Sequence, residues 1–375
     1  MAVIAGTTSC DDFLDREPMS SISPETYYST AAQLEANLND EYPNVLPSFG
    51  QWTYGIFGED KGTDNQIEVN ANDRYTQDRW KVPHSESDNW KFERIYRINF
   101  FLSEALPKFG EDMSGSQNTI SGSVATIKHY IGEMYFLRAY EYFKKLQLFG
   151  DFPIINQPLA DEMEALREAS KRFPRNEVAR FIISDLDKAY AYMSDVDMAT
   201  TRINKDVAML VKSRVALFEA TWLQNFKGTA FVPGGEGWPG ASLHNNYQYP
   251  SGNIDNEVKY FLEQAVEASK LVADKYKGSL TENTGVLQQS ADDPSNPYFD
   301  MFAQEDLSDV KEVLLWRQYA RGLSTHNINA AAGRGNYRIG LTRGFVQNFL
   351  MKDGTPVYAH GSYADGDGYY MGDKT

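Results

Sequence analysis

Cysteine is almost absent from this chain of 375 residues, in which Cys10 is the single example. One thiol cannot build a disulfide framework, and it cannot supply the several sulfur ligands of a structural zinc site. The five histidines are scattered, and none falls in the His-Glu-x-x-His pattern of zinc hydrolases. We therefore expect no metal and no cofactor.

Long apolar runs and positive charge are lacking as well. No stretch approaches the roughly 20 apolar residues that a membrane-spanning helix requires. The 36 basic residues are outnumbered by 52 acidic ones, which gives a net charge of −16. Nucleic acid and anionic lipid headgroups both attract basic surfaces, so this charge argues against either as a partner.

Motifs that would indicate catalysis are missing too. There is no Gly-x-Ser-x-Gly segment to place a nucleophilic serine. Residues Gly235–Gly240 match a dinucleotide-loop spacing, but they follow a predicted helix and contain Pro239, so we predict a glycine-rich turn that presents Trp238. Asp365–Gly368 resembles the start of a calcium loop without its later glutamate, and we predict a solvated turn. We expect a protein that is not an enzyme.

Helical periodicity dominates what is present. Apolar residues recur at spacings of three and four in several long segments, which predicts amphipathic helices. The predicted helices are Thr26–Leu38, Asn89–Leu106, Val124–Phe149, Asn176–Met193, Lys205–Phe226, Asn256–Tyr276 and Leu341–Met351. Their similar size predicts a mostly α fold, in which pairs of helices form a tetratricopeptide-like scaffold with little β structure.

Small residues inside these helices support close pairing. Helices that carry Gly or Ala at their interface can approach closely, which is how tetratricopeptide-type repeats pack. The residues concerned are Gly132, Ala139, Ala208, Ala216, Ala265 and Ala268.

Long connections rich in Trp, Tyr, Asn, Asp and Gly separate the helix pairs. They cover Tyr42–Asp88, Phe226–Asp255 and Ser279–Tyr298. Disordered linkers are depleted in aromatic residues, whereas ordered loops on a rigid scaffold often carry function. We therefore predict a loop-rich face that binds a ligand.

Cys10 follows a short run of small, mostly apolar residues, Ala2–Ser9, and is followed by Asp11 and Asp12. This setting is typical of a lipid-modified cysteine at the end of a bacterial lipoprotein signal. Acyl chains on that residue would hold the protein on a membrane, at about 0.8 kcal/mol for each buried methylene. The alternative is an unmodified thiol without a role.

The central helix carries the most distinctive motif of the chain. Gly132–Phe143 (GEMYFLRAYEYF), continued by Leu148–Pro153 (LFGDFP), resembles the hallmark of the SusD/RagB family of outer-membrane nutrient-binding lipoproteins. Further segments are similar to the family's mature start, to its next two helices and to a later motif. These segments are Cys10–Asp15 with Pro18, Phe181–Leu186, Ala208–Trp222 and Met351–Pro356.

The resemblance implies a SusD-like fold and a cell-surface protein of the outer membrane, anchored by a lipid on Cys10. It also implies a SusC-like TonB-dependent transporter barrel as partner, with a glycan as the usual ligand. We expect residues 1–9 to be the remnant of a signal. Residues 10–375 would form a single SusD-like domain that lacks the family's C-terminal portion.

A saccharide is bound by aromatic rings that stack on its C–H faces and by polar side chains that bond its hydroxyls. In the first long loop and the start of the next helix, the residues of these types are Trp52, Tyr54, Asp60, Asp64, Asn65, Arg79, Trp80 and Trp90. In the late segment they are Trp316, Gln318, Tyr319, Arg321 and Asn336–Arg338. Trp222, inside a predicted helix, is assigned to the core.

Two other functions stay open from sequence alone. The ligand could be a peptide or another oligomer taken up by the same class of importer. Alternatively, the helical scaffold could bind protein partners and no small ligand.

Overall fold

The computed structural model describes residues 27–50, 58–67, 89–110, 112–194, 198–286, 290, 292–320, 322, 325–326, 340–351 and 353–359. These residues form two compact units. The first unit contains the described residues up to Leu46 and from Lys91 to Trp316. The second contains those from Pro47 to Trp90 and from Arg317 onward. A single domain over residues 10–375 stays a prediction.

The first unit carries all the long helices of the described chain. Its α-helices, long and short, are in order α1 (Ala31–Val45), α2 (Glu93–Phe109), α3 (Val124–Phe149), α4 (Met163–Ala169), α5 (Arg175–Tyr192), α6 (Lys205–Asn225), α7 (Ile254–Tyr276) and α8 (Pro297–Met301). A turn of 3-10 helix, Pro239–Ser242, lies between α6 and α7. The predicted mostly helical fold with little β structure is confirmed.

Polar caps determine where the long helices begin. The Thr30 side chain accepts a hydrogen bond from the Gln33 amide at 3.3 Å, and the Gln33 side chain accepts one from the Thr30 amide at 3.0 Å. This reciprocal capping box starts α1 at Ala31 instead of the predicted Thr26. Asn204 and Asn253 cap α6 and α7 through their own side-chain oxygens.

The central helix α3 begins and ends as predicted. Gly150 follows it with a positive φ of 66°, a conformation that glycine adopts without strain. The ends of α5, α6 and α7 differ from the predicted ranges only by the amount that frayed helix ends vary. The helix predicted over Leu341–Met351 is wrong in extent, because only Arg343–Gln347 is helical.

Two further differences involve proline. Helix α1 continues through Pro43 to Val45, beyond the predicted end at Leu38, because Glu41 and Val45 are buried. Helix α2 begins at Glu93 instead of the predicted Asn89, and it likewise continues through Pro107 to a buried Phe109. Tertiary packing of these last turns outweighs the hydrogen bond that each proline removes.

Helix α3 lies at the centre of the first unit. It packs against α1, α2 and α5, while α5 packs against α6 and α6 against α7. Buried residues lie on every side of α3, so that helix has no broad polar face. The stepwise packing of helix on helix is the tetratricopeptide-like arrangement that the sequence predicts.

Small residues allow these helices to approach closely. A Cβ atom on Gly132 of α3 would lie 2.8 Å from the Met193 backbone nitrogen and 2.9 Å from the Ala189 carbonyl oxygen. Position 132 must therefore lack a side chain for α3 and α5 to pack as they do. Ala139 and Ala216 are also fully buried, which confirms the predicted role of small residues.

Pairs between arginines and fully buried carboxylates connect elements of the first unit. They join Arg138 to Asp185, Arg175 to Glu219, Arg180 to Glu257 and Arg202 to Glu133. Arg138 of α3 donates to both oxygens of Asp185 in α5, at 2.6 and 2.8 Å. Bidentate bonds of this kind satisfy charges that would be costly to bury alone.

The second unit contains a small antiparallel sheet. Strand β1 (Gln66–Ile67) pairs with β2 (Gly340–Leu341), and Gln66 lies opposite Leu341. The short helix α9 (Arg343–Gln347) follows β2, and Thr342 caps it by accepting a hydrogen bond from the Phe345 amide at 3.1 Å.

None of the helices in the described ranges combines the length and the hydrophobicity of a membrane span. In the same ranges, His, Asp and Glu side chains do not gather into a cluster that could hold a metal ion.

Candidate ligand-binding site

Several of the predicted ligand-binding residues lie outside the described part of the chain. They are Trp52, Tyr54, Arg79, Trp80, Arg321 and Asn336–Arg338. The predicted lipid attachment residue Cys10 and the predicted turn Asp365–Gly368 also lie outside it.

The polar residues predicted in the first loop lie beside the sheet of the second unit. The Asn65 carbonyl oxygen accepts a hydrogen bond from the Thr342 amide at 2.9 Å, and the Asp64 carbonyl accepts one from the Thr342 hydroxyl. The Asp60 and Asp64 side chains are exposed. The structure thus places Asp64 and Asn65 of the first predicted loop beside Thr342. The carboxylates of Asp60 and Asp64 remain exposed to solvent.

The late segment places Tyr319 in an exposed polar cluster of the second unit. The Tyr319 ring packs edge-on against His326 at 4.8 Å, and the Arg317 guanidinium lies 5.6 Å from its centroid. Arg317 also donates to the Ser48 hydroxyl. Tyr319 is half-buried, whereas the neighbouring Gln318 is exposed. An aromatic ring among polar groups of this kind suits a hydroxylated ligand.

The two described tryptophans of the prediction are both half-buried. Trp316 belongs to the first unit, where its indole N–H donates to the Thr200 hydroxyl at 2.8 Å. Its backbone amide also donates to the Thr200 carbonyl at 3.1 Å. Trp90 lies in the second unit, immediately before the first unit resumes at Lys91. Thr200 holds Trp316 in place, and a ligand role for either ring stays a prediction.

The third predicted loop, Ser279–Tyr298, and residues 300–311 that follow it line a groove of about 430 Å³ after α7. Its walls include Gln304, Asp309 and Lys311, which are exposed and make no side-chain hydrogen bond or ion pair within the described residues. Pro297, Asp300 and Met301 of the short helix α8 form another part of the wall. Free donors and acceptors of this kind can form hydrogen bonds with saccharide hydroxyls.

A second groove, of about 350 Å³, runs along α5 and reaches α7 and Met113. One face of α5 lines it, at helical spacings of three and four. The residues on this face are Arg180, Ile183, Ser184, Asp187, Lys188 and Ala191, and Tyr260 of α7 lies opposite. This groove is absent from the sequence prediction because a charged helix face resembles an ordinary solvent face.

Two other tryptophans differ from their predicted placement. Trp238 is 5% exposed, so the glycine-rich turn does not present it to a ligand. Its indole N–H donates to Asp151 at 2.7 Å and so pins the turn. The prediction that Trp222 lies in the core is wrong, because its ring is half-buried on α6, with the Arg175 guanidinium 4.0 Å from the ring centroid.

The hallmark residues of α3 are structural and not ligand-binding. Glu133, Arg138 and Tyr142 are buried. The Tyr142 hydroxyl donates to the Ile155 carbonyl at 3.0 Å and accepts from the Ile155 amide at 2.8 Å, which fixes the chain after α3. Burial raises the pKa of the Tyr142 phenol well above its usual range, so the hydroxyl stays protonated.

A family model described as "Starch-binding associating with outer membrane" matches residues 12–217, more than half of the chain. The chain belongs to the SusD-like family. The match contains the Gly132–Phe143 hallmark and ends within α6, so the resemblance that the sequence predicts is confirmed.

Two curated relatives come from Formosa agariphila. SusD-like protein P2 is 26% identical over 235 residues, which are 60% of this chain and 43% of that protein. SusD-like protein P25 is 25% identical over 233 residues, which are 57% of this chain and 41% of that protein. The matched residues therefore cover less than half the length of these relatives.

Among solved structures, a SusD-like carbohydrate-binding protein from Bacteroides fragilis superposes with a TM-score of 0.56 at 15% identity. The match covers 90% of this chain and 57% of that protein. At this identity the likeness concerns the fold, and it agrees with the tetratricopeptide-like packing of α1 to α7.

Proposed function

We propose that this SusD-like protein is a cell-surface lipoprotein of the outer membrane that binds glycans and delivers them to a TonB-dependent transporter. Membership of the SusD-like family carries the proposal, because the family model is described as starch-binding and outer-membrane associated. In this proposal the protein binds its ligand without changing it chemically.

The chemistry of the described loops supports a glycan as ligand. Tyr319 lies beside Arg317 in the second unit, and the groove after α7 offers Gln304, Asp309 and Lys311 with unused hydrogen-bonding groups. Aromatic rings stack on the C–H faces of a saccharide, and free polar groups form hydrogen bonds with its hydroxyls. A peptide ligand is an alternative outcome of the binding test.

The test uses a form in which Cys10 is replaced by alanine, run by affinity electrophoresis through a panel of polysaccharides and by calorimetry with peptides. We expect retardation by at least one glycan. The variants Trp52→Ala, Trp80→Ala, Tyr319→Ala and Asp309→Ala each address one part of the predicted face, and loss of retardation identifies the parts that bind.

The matched control is Tyr96→Ala, which removes a tyrosine that is 51% exposed on α2 and belongs to neither set. It should leave binding unchanged. Binding of peptides with no retardation by any glycan would contradict the proposal, and so would hydrolysis of a bound glycan.

The lipid anchor and the transporter are tested separately. We expect radiolabelled palmitate to be incorporated into the wild-type protein and not into Cys10→Ala. We also expect a SusC-like barrel to co-purify with the protein from outer membranes. Palmitate labelling that persists in the Cys10→Ala variant would contradict the assignment of the anchor.

A further inference from the structure

The groove along α5 combines an aromatic wall with charged side chains. Tyr260 of α7 forms one wall, and the Arg180 guanidinium lies 3.7 Å from the centroid of its ring. Arg180 is itself held by two bonds to Glu257, at 2.7 and 2.8 Å, and by a third to Ser251 at 2.7 Å. The Tyr260 ring therefore packs against a guanidinium that is itself held in place. A side chain that is already ordered loses little conformational entropy when a ligand stacks on it.

The phenol of Tyr260 also adds a hydrogen bond donor. Burial raises the pKa of this phenol, although the Arg180 charge acts in the opposite direction. The hydroxyl therefore stays protonated at neutral pH. Ser184, on the facing surface of α5, adds a second exposed hydroxyl to the groove.

The charge of the groove is opposite to that of the whole chain. Among its lining residues, Arg180 and Lys188 are positive and Asp187 is negative, which leaves one positive charge. Arg180 is paired with Glu257, and Asp187 is paired with Lys212 at 2.7 Å. Lys188 lies 3.7 Å from Asp185, whose two oxygens are already bonded to Arg138, and its side chain is 43% exposed.

Among the charged groups of the groove walls, the ammonium group of Lys188 has the longest ion pair: it lies 3.7 Å from Asp185 and 5.4 Å from the centroid of the Tyr135 ring, whereas Arg180 and Asp187 are each paired at 2.7 Å. On a protein with a net charge of −16, a local excess of positive charge selects for an anionic group. By comparison, the lining of the groove after α7 contains Asp300 and Asp309 against Lys311, and so has an excess of negative charge.

We propose that the α5 groove binds a saccharide that carries carboxylate or sulfate groups, with a sugar ring against Tyr260 and the anionic group at Lys188. This inference rests on the proposed glycan-binding function and adds a separate site with its own ligand class. Charge-assisted bonds to Lys188 supply the preference for anionic sugars, and salt weakens them.

The test measures dissociation constants by calorimetry for oligosaccharides of equal length. The probes are an oligogalacturonide with carboxylates, a sulfated galacto-oligosaccharide and neutral laminari-, cello- and galacto-oligosaccharides. We expect the wild-type protein to bind at least one acidic probe more tightly than the neutral ones. The two acidic arms distinguish carboxylate from sulfate.

Variants assign the binding to the groove. We expect Lys188→Gln to weaken binding of the acidic probe about tenfold, as for loss of a hydrogen bond to a charged group. Ser184→Glu adds a negative charge at an exposed position and should weaken it similarly. Tyr260→Ala should weaken it further, whereas Tyr260→Phe keeps the stacking surface and most of the affinity.

The matched control is Ser103→Glu, the same change at an exposed position of α2 outside the groove. It should leave the affinity unchanged. Circular dichroism of each variant confirms that it is folded, and Ser184→Glu keeps the test valid if Tyr260→Ala unfolds the protein.

Three results would overturn the inference in distinguishable ways. If the wild-type protein binds a glycan but Lys188→Gln, Ser184→Glu and Tyr260→Ala leave that affinity unchanged, the groove is not a site, and the proposed function stands. If the wild-type protein binds no glycan at all, both proposals fail. Equal affinity for neutral and acidic probes would overturn the selection for charge.

Discussion

The guanidinium of Arg138 is buried in the first unit, where it donates hydrogen bonds to three different residues. It bonds both oxygens of Asp185, the Asn99 side chain at 2.9 Å and the Asn156 carbonyl at 3.1 Å. Asn99 in turn donates to the Ile155 carbonyl at 2.9 Å. One side chain thus connects α3 to α2, to α5 and to the segment that follows α3.

Removing this guanidinium should strongly destabilise the protein. Arg138→Ala leaves Asp185 buried without its partner, and we expect the free energy of unfolding to fall by about 3–5 kcal/mol. Urea denaturation followed by circular dichroism measures it. The control Lys270→Ala breaks an exposed ion pair on α7 and should have almost no effect. If Arg138→Ala and Lys270→Ala lowered the free energy of unfolding equally, burial would not explain the contribution of the Arg138–Asp185 pair.

Glu257 should make stability depend on pH. Burial alone would raise the pKa of its carboxyl, but hydrogen bonds from Arg180, Asn176 and Ser251 outweigh burial and lower this pKa. A lowered pKa means that the folded state binds the proton less readily than the unfolded state. The stabilisation is therefore present above the unfolded value of about 4.3 and is lost as pH falls below it.

We expect the unfolding free energies of the wild type and Glu257→Gln to differ most above about pH 5 and to converge in acid. Denaturation curves between about pH 3 and pH 7 measure the difference. Glu263→Gln, which changes an exposed carboxylate of the same helix, is the control. A difference for Glu257→Gln that stayed constant across this range would rule out the proposed role of its carboxylate.

At the scale of the helices, close approach of α3 and α5 depends on Gly132. A methyl group there would meet the backbone of Met193 and Ala189, which cannot move aside as a flexible side chain could. We expect Gly132→Ala to lower the free energy of unfolding by about 1–3 kcal/mol, although alanine favours helix formation.

Gly278 provides the comparison for this substitution, because a Cβ there would meet nothing within 4 Å. Gly278 lies in the turn after α7, so thermal and urea unfolding of the two alanine variants compare a tightly packed position with an open one. Equal stability of Gly132→Ala and Gly278→Ala would show that the α3–α5 contact can relax.

The helical cap Asn253 should contribute to the stability of α7, which carries Glu257 and Tyr260. Its side chain accepts a hydrogen bond from the Asn256 amide at 2.9 Å. We expect Asn253→Ala to cost about 1 kcal/mol in unfolding free energy and Asn253→Ser to restore most of it. If serine and alanine destabilise equally, the cap is not the cause.

The helices could be predicted from sequence where apolar spacing and stop signals agree. Val124–Phe149 satisfies both, since its apolar residues recur regularly and Gly150 ends it. The start of α1 could not be predicted from periodicity, because the Thr30–Gln33 capping box decides it. The sequence also could not indicate that Pro43 would lie inside a helix, since burial of Val45 is a tertiary effect.

The residue types of the ligand face could be predicted from sequence, but which of these residues lie together in space could not. Composition indicated aromatic, polar loops, and the structure places Asp64 and Asn65 against Thr342 through a strand pairing across a long sequence separation. Local patterns do not encode such a pairing. The α5 groove was missed for a different reason: a helix face with Arg180, Asp187 and Lys188 has the composition of any solvated surface.

At the scale of the whole molecule, the first unit is interrupted by residues 47–90. Side chains bring the end of α1 close to the start of α2: the Asn44 side chain accepts from Arg94 at 3.0 Å, and Glu41 accepts from Arg97 at 2.5 Å. The ends of the interrupting segment are therefore near each other in space.

We expect the first unit to fold without the second. Joining Leu46 to Lys91 by a short Gly/Ser linker and ending the chain after Trp316 should preserve the helical circular dichroism and a cooperative unfolding transition. A short linker has a small entropic cost of closure, since that cost grows slowly with loop length. Loss of the transition would show that the two units depend on each other.

The buried pairs between helices also have a consequence for how the chain reaches this fold. If α5 slid along α3 by one turn, about 5.4 Å, Arg138 and Asp185 would separate while both remained in the apolar interior. The Arg180–Glu257 pair would part if α7 slipped in the same way. Each pair makes a shifted register costly by several kcal/mol. These ion pairs therefore fix the register of the helices. Apolar contacts alone would allow several registers of α5 on α3, whereas the ion pairs form in only one of them.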